Sequence, residues 1–411
     1  MSIVKMKRLR LIGMRDQRES MLRQLQHLGC VEIDEPGDRS ADPAWASLTR
    51  PDTGALNGAR DARASVENAL KALKKYGPKQ KGGLLTPRPV ITEGELFNDE
   101  AYRTGLADAG QLVALERKIS ALYAEQNKLR TQKLALAPWL GLDIPLETAS
   151  TEEVTVQFGT VAASTDLDGA LGAVTELYEL IRAGADNELN YLVLLCHRSG
   201  AEACQEVLKE YGFSRSSLRG WTGTAAENDR RLDDQLAAAG RELETTIAQV
   251  GEYAPRKGAL EQCLDRAAQE IAREEARCRL LDSSAAFFLE GWVPVPDEEK
   301  MAETLSRYDC CWETQDPAPE DYPVVPVKLK SNRFTEPLTT ITEMYSLPAY
   351  NGVDPNGLMM PFYVFFFGFM FADLGYGLIL AGVCAFINHR VRPKGGFGQL
   401  IRLMIMCGLS S

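Results

Sequence analysis

The residues able to do chemistry are few and scattered. Three histidines, His27, His197 and His389, lie far apart in a chain of 411 residues, so a histidine-rich metal site has no local framework. Nine cysteines contain no C-x-x-C pair, and the nearest two, Cys310 and Cys311, are adjacent; they read as small core-filling residues in a reducing compartment. Cys196-His197 invites a nucleophile, but it ends an apolar run, NYLVLLC, and reads as a buried strand end. The turn at Gly13 lacks the G-x-G-x-x-G or G-K-[ST] spacing that cradles phosphate. With no nucleotide loop, zinc spacing or nucleophile elbow, the chain is not expected to be an enzyme. No catalytic, cofactor-binding or metal-binding residue is assigned, and no cofactor is called for.

One ionisable residue does stand out. Leu358 to Ile387 reads LMMPFYVFFFGFMFADLGYGLILAGVCAFI, with Asp373 as its single charge. About twenty apolar residues span the hydrocarbon core, so this run is long enough to cross with tilt or a break. A carboxylate there costs a few kcal/mol in hydrocarbon, which makes Asp373 a structural or functional candidate; pairing with a neighbouring helix is the structural reading. Gly368, Gly375, Gly377 and Gly382 offer a small-residue face for such packing. A second apolar stretch begins at Leu400, as in a polytopic chain of which this is a part.

The elements that would hold these residues are mixed. Residues 358–411 carry Arg390, Arg392, Lys394 and Arg402 against Asp373, so the net charge of −11 leaves −14 on the first 357 residues. That acidic body speaks against nucleic acid. Met1 to Arg10 is basic with no apolar run behind it, hence no signal peptide, and places the body in the cytoplasm. Val4 to Ile12 alternates as a strand, Asp16-x-x-Glu19 resembles a helix start, Met21, Leu22, Leu25 and Leu28 form a stripe, and Cys30 to Ile33 is a second strand. Further on, the spacing predicts strands over 154–161 and 190–196, a helix over 166–182 and another over 201–211, and a short strand at 212–214. Ala286 to Pro296 is an aromatic-rich strand, Glu298 to Tyr308 a helix and Cys310 to Trp312 a strand, a β-α-β that would complete the one at residues 1–35.

Between the lobes run long helical tracts. In 112–136 the alternate three-and-four spacing selects Leu112, Leu115, Ile119, Leu122, Gln126, Leu129, Lys133 and Leu136. In 236–281 it selects fourteen positions from Leu236 to Leu281, eleven of them apolar, a heptad pattern typical of a coiled coil. Pro255 should loosen one turn. Gly77-Pro78 stops an earlier helix over 59–76, and a Gly/Pro loop follows over 79–94. The expected fold is α+β with a long antiparallel coiled coil. Two α/β lobes form a dumbbell on a helical rod, followed by a transmembrane helix and the start of a second. The boundaries are 1–57 with 286–330 for the membrane-proximal lobe, 58–140 with 224–285 for the arms and 141–223 for the distal lobe. A linker over 331–357, a transmembrane helix over 358–387 and a second beginning at 397–411 complete the chain.

The run Phe287-Phe288-Leu289-Glu290-Gly291-Trp292-Val293-Pro294 resembles subunit I (subunit a) of the V-type and archaeal-type rotary ATPases. So do Asn332-x-Phe334-x-x-Pro337, Met344-Tyr345-x-x-Pro348-x-Tyr350, Asp354-Pro355 and Phe366-x-Gly368-x-Met370-Phe371-x-Asp373-x-Gly375-Tyr376-Gly377, along with the opening strand-helix-strand ending Gly29-Cys30-Val31-Glu32-Ile33. The resemblance implies a non-catalytic stator subunit of a multi-pass membrane complex, with residues 1–357 cytoplasmic. Its implied partners are peripheral-stalk coiled coils at both lobes, a rotor ring, other membrane-sector subunits and lipid. It also implies a half-channel for H+ or Na+ on helices beyond Ser411, so no ion-translocating residue is assigned. A membrane-anchored tether unrelated to ion transport is the alternative. The charge pattern conflicts with a single span. The positive-inside rule puts Arg390, Arg392 and Lys394 in the cytoplasm, which would leave the body outside or make the apolar run re-entrant, whereas the family topology keeps the body inside.

Overall fold

Leu9 and Leu11 alternate with Arg8, Arg10 and Ile12, so one side of this segment is buried and the other is left to solvent, as strand β1 (Met6–Met14). The computed structural model describes residues 3–35, 48–78, 89–218, 220–371 and 373–411; most of the Gly/Pro loop expected over 79–94 lies outside them. After β1 come α1 (Arg18–Leu28), β2 (Glu32–Ile33), α2 (Gly54–Tyr76), α3 (Glu93–Leu96) and α4 (Asp99–Leu136). Next are β3 (Val154–Ala162), α5 (Leu167–Gly172), β4 (Tyr178–Ala185), β5 (Leu189–His197), α6 (Ala201–Glu210) and β6 (Ser214–Arg215). The chain continues through α7 (Ala225–Glu252), α8 (Lys257–Cys278), β7 (Leu281–Asp282), β8 (Ala286–Pro294), α9 (Glu298–Leu305) and β9 (Cys310–Gln315). Four helices follow: α10 (Glu336–Tyr345), α11 (Asn356–Phe371), α12 (Leu374–Val391) and α13 (Gly395–Ser410). These elements fall into two compact units, Met1–Leu70 with Lys79–Ala109 and Arg256–Ser411, and Lys71–Pro78 with Gly110–Pro255.

In the first unit the strands order as β2-β8-β1-β9, with β7 added to β8, all antiparallel. Strands from residues 6–33 and from 281–315 therefore share one sheet: Leu11 faces Leu289 on one side and Trp312 on the other. Leu9, Leu11, Phe287, Leu289 and Val293 pack beneath Met21, Leu22 and Leu25 of α1 and Met301 and Leu305 of α9. The expected start of α1 needs correction. Asp16 lies in a 3-10 turn, and the N-cap is Gln17, which makes no side-chain capping bond. The helix ends where expected, at Gly29, whose φ of 62° suits a residue without Cβ. In the same unit, α8 runs antiparallel to the first turns of α4: Arg266 meets Asp99 at 3.4 Å and Arg256 meets Asp108 at 2.8 Å.

The second unit holds a sheet ordered β4-β5-β3-β6. Val161, Leu192, Leu194 and Cys196 face α5 and α6, through Leu167, Leu171, Cys204, Val207 and Leu208. Val193, Ala183, Val156 and Phe158 face the other way, onto Trp139, Leu136 and Leu129 and onto Leu232 of α7. The helix expected over 166–182 is corrected here: it stops at Gly172, and Tyr178–Ala185 is strand β4. Tyr178 and Leu180 join the core on one side of the sheet and Ile181 and Ala183 the core on the other, so what looks helical in spacing is used as a two-sided strand. Within this unit the rest of α4 is antiparallel to α7: Lys118 meets Glu242 at 2.7 Å and Lys133 meets Asp229 at 3.1 Å. Leu112, Ile119, Gln126, Leu129 and Leu136 of the α4 stripe are buried. The return tract is not one helix, because Pro255 sits in a 3-10 turn, Ala254–Arg256, between α7 and α8.

Candidate functional site

Asp373 is the one site residue nominated by sequence, and its structural job is local. Its Oδ1 accepts from the backbone N–H groups of Gly375 at 2.8 Å and Tyr376 at 3.0 Å, which makes it the N-cap of α12. Among the described residues the neighbouring-helix pairing is not found; Asp373 is exposed, and its bonds satisfy donors of its own helix. The single helix expected over 358–387 is instead two, α11 and α12, because a side-chain cap starts the second. α12 is, among the described residues, the one helix long and apolar enough to cross a membrane by length and composition, with 18 residues and a mean hydropathy of 1.3. α11 is apolar and shorter.

The directions of these helices follow from their contacts with α13. Met360 of α11 shares a buried cluster with Leu338, Leu403 and Cys407, and further along Ser410 Oγ donates to the Val364 carbonyl at 2.8 Å. α11 thus runs alongside α13 in the same direction. α12 starts beside the end of α13, where a Cβ added to Gly408 would come within 2.7 Å of the Gly377 carbonyl oxygen, and it ends at the short turn that begins α13. α12 is therefore antiparallel to both, and the chain reverses at Asp373. Of the four glycines expected on the packing face, Gly368 and Gly377 are used against α13, whereas Gly382 faces open space and Gly375 only its capping carboxylate.

The base of this helical hairpin is tied to α10, the helix inside the stretch expected as a linker. Arg402 donates to both carboxylate oxygens of Glu336, at 3.0 and 2.9 Å, and Thr340 donates to the Gly396 carbonyl at 3.3 Å and bonds Gln399. Thr342 also bonds the fully buried Asn356 at the start of α11. The turn carrying Arg390, Arg392 and Lys394 consequently lies at the α10 end of the helices. Sequence reasoning misses the Arg402–Glu336 pair; the signal for α10 is present in Glu336-Pro337, an acidic first turn with proline where it costs no hydrogen bond.

Elsewhere polar chemistry serves packing. Cys196 and Cys204 lie 3.2 Å apart between β5 and α6, and burial first, then Cys196, pushes the Cys204 thiol up to about 12. The His197 ring bonds Ser199 at 2.8 Å at the exposed strand end. That agrees with the strand-end reading of Cys196-His197. Along α8 runs a chain of buried ions, Arg266–Glu270 at 2.5 Å and Arg277–Glu274 at 2.6 Å with Arg273 between them; of these only Glu274 falls on the heptad positions, the others lying beside them. Arg266 also lies 4.4 Å over the Phe97 ring. Among the described residues no group of His, Cys, Asp and Glu is arranged to hold a metal ion.

The described residues thus combine a two-sided sheet, a one-sided sheet built from residues 6–33 and 281–315, antiparallel helical tracts and an apolar helical hairpin. Residues 242–394 match the V-type ATPase 116 kDa subunit family. The chain is 24% identical to the A-type ATP synthase subunit I of Methanocaldococcus jannaschii over 99% of its length and 62% of that protein. It is 25% identical to the A-type ATP synthase subunit I of Methanothermobacter thermautotrophicus, over 98% of this chain and 65% of that one. The crystal structure of the cytoplasmic N-terminal domain of subunit I, homolog of subunit a, of V-ATPase aligns with 75% of this chain and 100% of its own at 21% identity and a TM-score of 0.41. Along nearly its whole length the chain is thus similar to archaeal A-type ATP synthase subunit I. It spans a little under two thirds of the length of these two archaeal relatives.

Proposed function

We propose that the chain is the stator subunit of a V/A-type rotary ATPase, non-catalytic, holding peripheral-stalk subunits to the membrane sector while a rotor turns. The dumbbell of two α/β lobes on a coiled-coil rod belongs to this proposal, as do the ion half-channel for H+ or Na+ on helices outside this chain and the rotor ring and other membrane-sector subunits as partners. What carries it, beside the family, is the antiparallel pairing of α4 with α8 in one unit and with α7 in the other. Paired helices resist stretching and can transmit a reaction torque. The open face of the first sheet, with Ile12 46% and Met14 44% exposed, supplies a surface for a stalk subunit. The test is co-expression of the full chain with the peripheral-stalk subunits of an A-type ATPase. Co-purification is expected, and a chain that purifies alone would overturn the reading.

The same proposal places the body in the cytoplasm and α11 to α13 in a multi-pass membrane segment. As one straight helix Asn356–Val391 would reach about 54 Å, well beyond a hydrocarbon core of roughly 30 Å. Folded at Asp373, each limb is about 24–27 Å. The reversal returns Arg390, Arg392 and Lys394 to the body's side, so the positive-inside rule and the family topology agree. In sealed vesicles, a cysteine at Arg392 should label from the same side as exposed Cys311 and one at Leu374 from the opposite side; opposite-side labelling of position 392 would reject the hairpin topology.

A further inference from the structure

We infer that the turn between α12 and α13 is a binding surface for the phosphates of anionic lipid headgroups; this rests on the membrane reading above. Four basic residues lie beyond residue 357, and they divide sharply. Arg402 is neutralised by the two-pronged bond to Glu336. Arg390, Arg392 and Lys394 are exposed and have no carboxylate partner among the described residues. Three cations within five residues, at the end of α12, which is long and apolar enough to cross a bilayer, sit where lipid phosphates lie if that helix crosses. Exposed Phe386 and Phe397 flank them and suit the acyl boundary just beneath. Arg392 has a φ of 50°, so a glycine would fit this backbone better than any charged residue.

The experiment uses the full chain in nanodiscs of equal phosphatidylcholine and phosphatidylglycerol, with the lipid retained after mild detergent extraction counted by native mass spectrometry. Preferential retention of phosphatidylglycerol is expected, falling roughly five-fold for each charge removed in R390Q, R392Q and K394Q and their combination. Arg392→Gly separates charge from folding, because it relieves the left-handed backbone yet should lose the same preference as R392Q. An unchanged lipid ratio in the triple variant would overturn the inference. So would displacement of the lipid by excess inorganic phosphate, which would mark a free-anion site. Alkaline carbonate extraction separates the two readings: release of the chain from vesicles would defeat the membrane reading and this inference with it, whereas a retained chain with an unchanged ratio defeats this inference alone.

Discussion

The two sheets differ in how many faces they bury. In the second unit both faces of β4-β5-β3-β6 are covered, one by α5 and α6 and the other by Trp139 and the ends of α4 and α7. In the first unit α1 and α9 cover one face of β2-β8-β1-β9. The other face carries Arg8 and Arg10 against Glu290, Glu313 and Asp321 at 3.2 to 3.5 Å, a Met6–Trp292–Val325 cluster at one end, and exposed Ile12 and Met14 at the other. The difference shows in the strands themselves: β5 is apolar along most of its length, whereas β1 alternates. A sheet sealed on both sides is built for stability, and one left half-open with mixed charge keeps one face in solvent.

Three measurements sharpen or break this contrast. The largest effect belongs to the sealed sheet. Trp139 is 2% exposed and meets Phe158 and Tyr191 edge-on at 6.0 and 5.5 Å, so Trp139→Ala should destabilise its unit by about 3–5 kcal/mol in denaturant unfolding. A loss under about 1 kcal/mol would mean that face is not a true core.

A smaller, pH-dependent effect belongs to the margin of the half-open sheet. Glu298 accepts from Thr314 at 2.6 Å and pairs with Lys7 at 2.9 Å, and these hold its carboxyl below the ordinary 4.5. The depressed folded value means this stability is present above the unfolded pKa of about 4.5 and is lost as pH falls through the lower folded value. Glu298→Gln should therefore flatten the pH dependence of stability below about 4.5; an acid profile identical to that of the parent chain would count against the pairing. The smallest effect is expected on the open face itself. Ile12→Ser should change stability by less than about 0.5 kcal/mol while weakening capture of stalk subunits, and a large loss of stability would show that this face is covered after all.

Legibility follows period and length. Strands β3, β5 and β8 and helices α2 and α6 are readable because apolar spacing and Gly/Pro boundaries agree there. β4 is misread because Tyr178, Leu180, Ile181 and Ala183 feed two cores at once, and spacing alone does not separate that from a helical stripe. Length allows a break in the apolar run, but the cause of the break, the carboxylate of Asp373 capping its own helix, needs coordinates. The ion pair of Arg402 with Glu336 joins residues 66 apart, beyond any local pattern.

What the sequence determined alone was local: which segments bury an apolar side, where proline or glycine interrupts them, and that one acid lies within a membrane-length apolar run. Those properties depend on residues a few positions apart, whose free energies are set by solvent and backbone. Tertiary structure decided which strands share a sheet, which faces stay open, and on which side of the helical hairpin the basic turn falls. These depend on groups distant in sequence, such as Leu11 with Leu289 and, 31 residues apart, Gly377 with Gly408, whose contacts exist only once the fold has closed.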